Sequence, residues 1–281
     1  MISLINSIEY EKPNTFILID GSYFCFYRYH SIMRWWKNAY PENELIDPFL
    51  NETFVEKFKK TFVDNVKNII KNLNINNDEK PFMIVGKDCK RESIWRNEIF
   101  DKYKGTRKTD DKFMGGPFFK MVYEDKLFQQ GGVRYILKHP KLEADDCLAI
   151  SGKYILEKYP NSKIYIITSD KDYLQLANPR LRIFNLSYKE ISEKTLGGSA
   201  EVDLFCKIVM GDISDNIPSV LNKCGPKTAL KCYNNKEYFD ERMKKENAYD
   251  KFELNRKIID FNYIPQHLID EFMNTDSDCF A

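Results

Sequence analysis

Short apolar stretches that end in a carboxylate are the feature that most restricts how this chain can fold. Three such stretches reach an acid: residues 16–19 at Asp20, residues 81–85 near Asp88, and residues 164–168 at Asp170. Each stretch is typical of a strand buried on both faces, and helical patterns separate them, which predicts a mainly parallel α/β sheet. Because ligands bind at the carboxyl ends of the strands in such sheets, we expect these three acids to meet at one edge.

The remaining periodicity extends this sheet and adds a helical region. The pattern predicts helices over residues 54–73 and 143–159, and strands over residues 133–137 and 181–186. From about residue 200 only short helices are predicted, over residues 200–210, 226–233 and roughly 238–260. We therefore expect an α/β domain over residues 1–198, a linker at Gly197-Gly198, and a helical subdomain over residues 199–281. The polar, glycine-containing stretch 105–117 predicts a mobile loop or arch above the strand ends.

Further acids stand in short motifs that would join the strand-end acids. EADD supplies Glu143, Asp145 and Asp146, SDKD adds Asp172 to Asp170, and GDISDN supplies Asp212 and Asp215. A single acid at such a place is more often a helix cap or a turn residue, and Asp146 and Asp215 could each be a cap. Together, however, so many carboxylates would repel one another unless a hard divalent cation held them.

The ligand type indicates which cation and which chemistry to expect. An acidic site without His or Cys suits Mg²⁺ or Mn²⁺, ions that usually handle phosphates. Two such ions would clamp the attacking water and the leaving oxygen of a phosphodiester. The sequence alone therefore predicts a metal-dependent phosphodiesterase.

Basic and aromatic residues occur in three places that suit a nucleic-acid partner. Residues 87–112 hold nine basic side chains, with Arg96, Lys104 and Arg107 at helical spacing, and near the metals they would neutralise the scissile phosphate. The alternative is a solvated helix face. Gly225 and Pro226 open a short helix among lysines and would bind phosphate through free backbone N–H groups, unless this is ordinary helix packing. In the aromatic cluster after Asp20, most rings should be core, and one could stack on a terminal base.

Composition narrows the class without identifying it. The chain has 281 residues and a net charge of +1, so bulk charge does not indicate a nucleic-acid partner. Seven Cys without a C-x-x-C pair, and three His, form no zinc pattern and predict free thiols in a reducing compartment. The N-terminus is neither a signal peptide nor a membrane span. We expect a soluble protein without a membrane partner, cytoplasmic or, if viral, inside the host cell.

Four motifs carry a resemblance to a known superfamily. DGSYF, EADD, TSDKDYLQL and GDISDNIPSV stand in the order and spacing of the 5′-nuclease superfamily, which the chain resembles. That superfamily contains flap endonucleases and the 5′→3′ exonuclease domain of bacterial DNA polymerase I, and it has a PIN-like core. GSAEVDLFCKIVMGD, the stretch from Asp88 to Arg107, and IIDFNYIP are similar to its T-even phage ribonuclease H branch, which removes RNA primers.

The resemblance implies a role for each matching residue. Asp20, Asp88, Glu143 and Asp145 match the ligands of one metal, and Asp170, Asp172, Asp212 and Asp215 those of a second, with Asp146 at the fourth position of EADD. Arg96 and Lys104 match the pair that contacts the scissile phosphate, with Asp20 and Asp170 as the key catalytic acids, and Phe26 matches a base-stacking aromatic. The further nucleic-acid contacts implied are Lys87, Arg107, Lys108, Lys223, Gly225, Lys227, Thr228 and Lys231. Residues 89–130 match a helical arch or loop.

Residues 212–233 match the helix–three-turn–helix that grips duplex DNA, often with a bound K⁺. Relatives carry G-V-x-G-[IV]-G in that turn, whereas residues 219–225 here lack the first two glycines and are one residue longer. K⁺ is expected there only if the altered turn keeps the required geometry.

We thus expect a structure-specific 5′→3′ exonuclease or flap endonuclease with two Mg²⁺ ions, which Mn²⁺ could replace. Its substrate would be double-stranded DNA with a 5′ flap, nick or RNA primer in replication or repair. It would act as a monomer, with a sliding clamp or a single-strand-binding protein as candidate partner. Two alternatives stay open at this point: a PIN-like RNA endonuclease, and a non-catalytic DNA-binding scaffold on the same fold.

Overall fold

A computed structural model describes residues 1–79, 81–107, 113–193 and 196–275. The predicted Lys108 contact and Cys279 lie outside these residues. The central feature is a five-stranded, all-parallel sheet in the order β3-β2-β1-β4-β5. Its strands are β1 (Thr15–Asp20), β2 (Phe82–Gly86), β3 (Tyr135–Leu137), β4 (Lys163–Ile167) and β5 (Leu181–Phe184). The predicted parallel α/β sheet is confirmed, and the chain switches direction between β1 and β4, where ligands bind in such sheets.

Helices cover both faces of the sheet and form the region that follows it. The α-helices are α1 (Ile2–Glu11), α2 (Gly21–Ala39), α3 (Glu52–Lys67), α4 (Ile69–Asn72), α5 (Gly116–Glu124), α6 (Leu127–Gln130), α7 (Ala144–Lys158), α8 (Ala200–Met210), α9 (Pro226–Asn234), α10 (Lys236–Lys245), α11 (Tyr249–Ile259) and α12 (Gln266–Asn274). Short 3₁₀ helices lie at Pro48–Leu50, Asn77–Glu79, Arg91–Ser93, Trp95–Glu98, Lys171–Leu176 and Phe261–Tyr263.

The alternation of side chains along the strands divides the core into two layers. Phe16 and Leu18 of β1 face one layer, where they pack with α7 and the terminal helices α1 and α12. Ile17 and Ile19 face the other layer, where α2, α3, α5 and α6 supply a dense set of aromatic rings. Both faces of β1 are therefore fully covered, which explains its uninterrupted apolar sequence.

Several predicted helices differ in extent from the structure. The helix expected over residues 54–73 is interrupted at Asn68, so that α3 is followed by the separate turn α4. The helix expected over residues 238–260 is two helices, α10 and α11, joined at residues 246–248. The helices α1, α2 and α12 were not predicted; in α2, dense aromatic residues hide the helical period.

The stretch from residue 89 to 107 is also not the helix that the spacing of its basic residues suggested. The described part of this stretch consists of two 3₁₀ helices and consecutive turns. The assignment of residues 89–130 as an arch stays a prediction, since residues 108–112 are outside the described part.

The region after β5 forms helices α8 to α11 around two small apolar clusters of its own and a third that it shares with Ile94 and Tyr103. The chain then returns to the sheet, where Phe261, Ile264, Leu268 and Phe272 pack into the same core layer as α1 and α7. The end of the chain therefore packs on the α/β unit, while the division into domains at residue 198 stays a prediction.

Two predictions from composition can be compared with the described residues. The six Cys among them, Cys25, Cys89, Cys147, Cys206, Cys224 and Cys232, are all free, as predicted. None of the described helices combines the length and the apolar character that crossing a bilayer would require.

Candidate metal centre and active site

A cleft of about 1230 Å³ opens at the carboxyl edge of the sheet, between the strand ends, α8 and the start of α9. Seven of the nine predicted acids line it: Asp20, Asp88, Glu143, Asp145, Asp170, Asp172 and Asp212. Asp215 lies just behind this lining, with an oxygen within 4.8 Å of oxygens of Asp172 and Asp212. The expectation that the strand-end acids meet at one edge is therefore met by the geometry.

The three strand-end acids are each oriented by hydrogen bonds from the fold. Asp20 accepts the Tyr23 N–H at 3.0 Å, which caps α2, and its other oxygen is 3.3 Å from the Thr168 hydroxyl. Asp88 accepts the Ala144 N–H at 2.8 Å, at the start of α7, while Asp170 accepts the Asp172 N–H at 2.9 Å. The second oxygens of Asp20 and Asp88 also accept hydroxyl groups, those of Thr168 and Ser22, so the fold fixes the orientation of these carboxylates toward the common edge.

Glu143, Asp145 and Asp146, which we call the first acidic group, lie at the N-terminal end of α7 with oxygens within 4.8 Å of one another. Asp146 is fully buried and does not line the cleft. Its carboxylate accepts hydrogen bonds from the Glu143 N–H at 3.1 Å, the Trp95 indole at 2.9 Å and the Arg96 guanidinium at 2.7 and 2.8 Å. Both oxygens of Asp146 are engaged in this way beneath the site, and its role as a metal ligand stays a prediction.

The position of Arg96 differs from the one expected of a phosphate contact. Its side chain is buried and is absent from the lining of the cleft. Its N–H groups donate hydrogen bonds to Asp146, Glu143 and the Ile258 carbonyl. Burial alone would lower the pKa of Arg96, but the surrounding carboxylates raise it well above its usual value. Its charge therefore compensates the first acidic group from below, and its contact with a scissile phosphate stays a prediction.

Lys104 and Tyr103 connect the first acidic group to Asp215. The Lys104 ammonium lines the cleft, contacts Glu143, and lies 3.9 Å from an Asp215 oxygen. The Tyr103 hydroxyl is 3.0 Å from Glu143 and 3.2 Å from Asp215. Burial raises the pKa of Tyr103 far above its ordinary value, so this hydroxyl keeps its proton and serves as a donor.

Asp172, Asp212 and Asp215, which we call the second acidic group, come from two separate parts of the chain. Asp172 lies in the 3₁₀ helix that follows β4, whereas the other two lie in the turn after α8. Gly211 begins that turn with a φ of +71° and approaches the backbone so closely that a Cβ would stand 2.4 Å from the Ile217 carbonyl oxygen. Asp212 accepts the N–H and the hydroxyl of Ser214 at 2.7 and 2.6 Å, which fixes the turn.

A lysine that sequence reasoning did not single out sits in the second acidic group. The Lys207 ammonium contacts Asp172 and lies 3.0 Å from Asp212. The sequence does contain a clue to this position. Lys207 lies on the predicted helix 200–210, one turn before Gly211-Asp212, and therefore on the helix face next to these residues. Tyr103 was also missed as a link, because nothing in the sequence brings residue 103 near residues 143 and 215.

The electrostatics of the cleft indicate a site built for cations. Burial, followed by the nearby Asp88 carboxylate, raises the pKa of Asp20 to about 7. Burial and then the neighbouring Asp146 and Glu143 raise the pKa of Asp145 well above its ordinary value. A bound cation stabilises the ionised form of both acids. The Lys104 ammonium lies between Glu143 and Asp215, and the Lys207 ammonium between Asp172 and Asp212. The carboxylate oxygens are the donor set that a hard divalent cation prefers. The two ammonium groups show that these carboxylates attract positive charge.

The predicted nucleic-acid contacts fall into three sets. Phe26 and Arg107 line the cleft; Phe26 is 43% exposed and stacks on Phe113 with ring centroids 5.0 Å apart. Gly225 also lines the cleft at the start of α9, and Lys223, Lys227 and Lys231 are exposed nearby, with Thr228 half-buried. Lys87 lies apart from the cleft lining, with its ammonium 4.1 Å from the centre of the Tyr123 ring.

The turn predicted to bind K⁺ has its own internal hydrogen bonds. The Ser219 hydroxyl lies 3.2 Å from the Val209 carbonyl oxygen and 2.8 Å from that of Leu221. Lys223 adopts a left-handed backbone with a φ of +51°. The Ser219 hydroxyl is therefore within hydrogen-bond distance of two carbonyl oxygens inside this turn.

Comparison with known proteins gives a consistent set of relatives. Residues 15–202 match a family model described as 5′-3′ exonuclease, N-terminal resolvase-like domain. A 5′-3′ exonuclease of Buchnera aphidicola subsp. Acyrthosiphon pisum is 30% identical over 227 residues, which is 78% of this chain and 70% of that protein. Ribonuclease H of Enterobacteria phage T4 is 27% identical over 210 residues, 66% of this chain and 67% of that protein. The chain also spans 16% of the length of bacterial DNA polymerases I that match half of it.

Among solved structures, the chain is similar to the flap endonuclease of bacteriophage T5 in a complex with DNA and metal ions. The TM-score is 0.62 at 17% identity, and the match covers 92% of this chain and 96% of that one. The likeness confirms the predicted PIN-like α/β fold class. Together with the sequence relatives, it confirms the predicted resemblance.

Proposed function

The chain belongs to the 5′-3′ exonuclease family, and from this membership we propose that it is a metal-dependent 5′ nuclease. It would hydrolyse phosphodiesters near a 5′ end, flap, nick or RNA primer in double-stranded DNA. The observation that carries the proposal is the cleft at the carboxyl edge of the sheet, lined by seven carboxylates and by the cations that balance them. Paired carboxylate groups of this kind suit divalent cations that act on phosphodiesters.

The acids of the cleft divide into two candidate ligand sets. Asp20, Asp88, Glu143 and Asp145 would hold one divalent cation, and Asp170, Asp172, Asp212 and Asp215 would hold a second. When bound, such ions supply Lewis-acid stabilisation of the attacking and the leaving oxygens of a phosphodiester.

The remaining side chains would bind and orient the substrate. Lys104 and Arg107 line the cleft, where their positive charges would balance the reacting phosphate. Buried Arg96 and Asp146 would act through Glu143 by fixing its position. The exposed face of Phe26 would stack on a base, which suits a strand end of any sequence.

The start of α9 provides the candidate grip on the duplex. Backbone N–H groups at a helix N-terminus attract phosphate, and the exposed Lys223, Lys227 and Lys231 add charge along the same helix. Contacts of this kind fix the position of DNA without reading its sequence. Specificity for a DNA structure rather than a DNA sequence is therefore expected.

Finer features of the proposal come from the sequence. We propose Mg²⁺ as the working ion with Mn²⁺ as a substitute, action as a monomer, a cytoplasmic setting, and a sliding clamp or single-strand-binding protein as a candidate partner. A K⁺ ion in the turn 219–225 stays a prediction that the Ser219 contacts make less favourable.

The test is a labelled duplex with a 5′ flap, incubated with the protein in Mg²⁺ and in EDTA. We expect cleavage within about a nucleotide of the junction, loss of cleavage in EDTA, and loss in Asp170→Asn with DNA binding retained, since a neutral amide is a poor ligand for a hard cation. Asp240→Asn, at an exposed site on α10, is the matched control and should cut normally.

Other outcomes would support the alternatives. Cleavage confined to free single-stranded RNA would indicate a PIN-like RNA endonuclease. DNA binding that is equal with and without metal, and never leads to cutting, would indicate a non-catalytic scaffold.

A further inference from the structure

We propose that Lys207 is a built-in counter-ion of the second acidic group, which holds Asp172 and Asp212 together in the metal-free protein and must leave when a divalent cation binds. The proposal rests on the metal-binding part of the proposed function. It adds that this chain regulates the affinity of one of its two cation sites through one of its own side chains.

The first observation is the position of the Lys207 ammonium. It contacts Asp172 and Asp212 at once, and its side chain is only 19% exposed. The two acids come from different segments, so this ammonium is also a bond between α8 and the 3₁₀ helix after β4. The Lys207 side chain therefore joins two parts of the site that the backbone alone does not connect.

The second observation is the crowding of the carboxylates. Oxygens of Asp172, Asp212 and Asp215 lie within 4.8 Å of one another, a distance at which like charges disfavour ionisation. Asp215 has its own partners in Arg107, Tyr103 and Lys104. Asp172 and Asp212, in contrast, share the Lys207 ammonium, so that the pair depends on this one cation.

A divalent cation and the ammonium cannot occupy this place together. Mg²⁺ binds oxygens at about 2.0–2.1 Å and draws its ligands close around it, which leaves no room for an ammonium between the same two carboxylates. Two cations there would also repel each other. The flexible stem of lysine permits the ammonium to move into the cleft, which its side chain lines. The free energy of the two lysine contacts is thus subtracted from the binding free energy of the metal.

The test compares Mn²⁺ binding to the wild-type chain and to Lys207→Met, by calorimetry and by the electron paramagnetic resonance of free Mn²⁺. We expect Lys207→Met to bind Mn²⁺ at the second acidic group about tenfold more tightly, which corresponds to about 1.4 kcal/mol. In EDTA, the melting temperature of Lys207→Met should be lower than that of the wild type. The increase in melting temperature on addition of Mn²⁺ should be larger for Lys207→Met than for the wild type. The double variant Lys207→Met, Asp212→Asn should lose this increase in Mn²⁺ affinity, which would assign the increase to the second acidic group.

Two variants separate competition from a general change in charge. Lys171→Met removes an exposed lysine that lines the same cleft and neighbours Asp172 in sequence, and it should change Mn²⁺ affinity by less than Lys207→Met. Lys207→Arg keeps the cation, so it should bind Mn²⁺ with nearly wild-type affinity. If Lys207→Met does not fold, Lys207→Gln provides the same comparison.

The proposal is overturned if removal of the Lys207 charge leaves Mn²⁺ affinity unchanged or weakens it, or if Lys171→Met produces the same gain. Neither readout requires cleavage of DNA. A protein that cuts no substrate but binds Mn²⁺ more tightly after Lys207→Met would therefore refute the nuclease activity while supporting the counter-ion.

Discussion

The two acidic groups of the cleft carry similar charge but are built in different ways. The first acidic group occupies one helix terminus, and its member Asp146 is fully buried against Arg96. The second acidic group joins a 3₁₀ helix to a distant turn, is more exposed, and is closed by the flexible Lys207. The first group is thus held in shape by the core, whereas the second depends on how α8 docks and on which cation is present.

The two acidic groups differ in how far they are preorganised before a cation binds. A preorganised group needs little rearrangement to accept a cation, while a group assembled from two segments becomes complete only when those segments are held together. Tyr103 and Lys104 connect the groups through Glu143 and Asp215. We therefore expect the first group to form in the fold itself and the second to respond to ligands.

Breaking the support of the first group should have the largest effect on stability. Arg96→Met leaves the fully buried Asp146 without its cation, while Glu143 keeps only Lys104, and the loss of a buried partner costs about 3–5 kcal/mol. Urea unfolding measured in EDTA checks this. Arg182→Met, which breaks a more exposed pair with Glu190, is the control and should cost less than about 1 kcal/mol. Equal costs for the two variants would contradict the idea that the core holds the first group.

Removing the link between the groups should have an intermediate effect. Tyr103→Phe deletes only the hydroxyl that is shared by Glu143 and Asp215, so we expect a loss of about 1–2 kcal/mol in the free energy of unfolding. Tyr233→Phe, whose hydroxyl meets Glu201 at an exposed site, should change stability by less than about 0.5 kcal/mol. If Tyr103→Phe is as stable as the wild type, the two groups are not coupled through this residue.

The smallest effect should appear in the pH dependence of the second group. Burial alone would raise the pKa of Asp212, but the Ser214 hydrogen bonds and the Lys207 ammonium outweigh it and lower that pKa to about 2. A folded-state pKa below the unfolded value of 3.8 contributes stability that is present above about pH 4 and lost as the pH falls toward 2.

Asp212→Asn should remove this contribution, of about 1 kcal/mol. Its unfolding free energy in EDTA should therefore decline less between pH 4 and pH 2 than that of the wild type. Identical slopes in this interval would show that Lys207 and Ser214 do not stabilise the ionised form.

Local patterns in the sequence predicted the sheet and its acids because the relevant signals are short. The apolar residues of β1 and the following Asp20 are adjacent in the chain, and parallel strands must align their ends. The placement of Arg96 and Lys104 on a helix failed for the opposite reason. Lys104 has a left-handed backbone with a φ of +53°, and both side chains are positioned by Glu143, some forty residues away.

Side-chain partners between distant segments could not be predicted from the sequence. Lys207 meets Asp172 only because α8 packs on the 3₁₀ helix after β4, and Tyr103 meets Asp215 only because a chain of turns brings it there. The burial of Asp146 likewise depends on Trp95 and Arg96, which approach α7 from another segment. These contacts depend on tertiary packing that no periodicity encodes.

The most direct test of the account is the number of Mn²⁺ ions bound by the wild type, Asp145→Asn and Asp212→Asn, measured by calorimetry without DNA. The account predicts two ions for the wild type and one for each variant, because each substitution removes a ligand from a different group. A single ion in the wild type, or the loss of all binding in both variants, would contradict the existence of two separate cation sites.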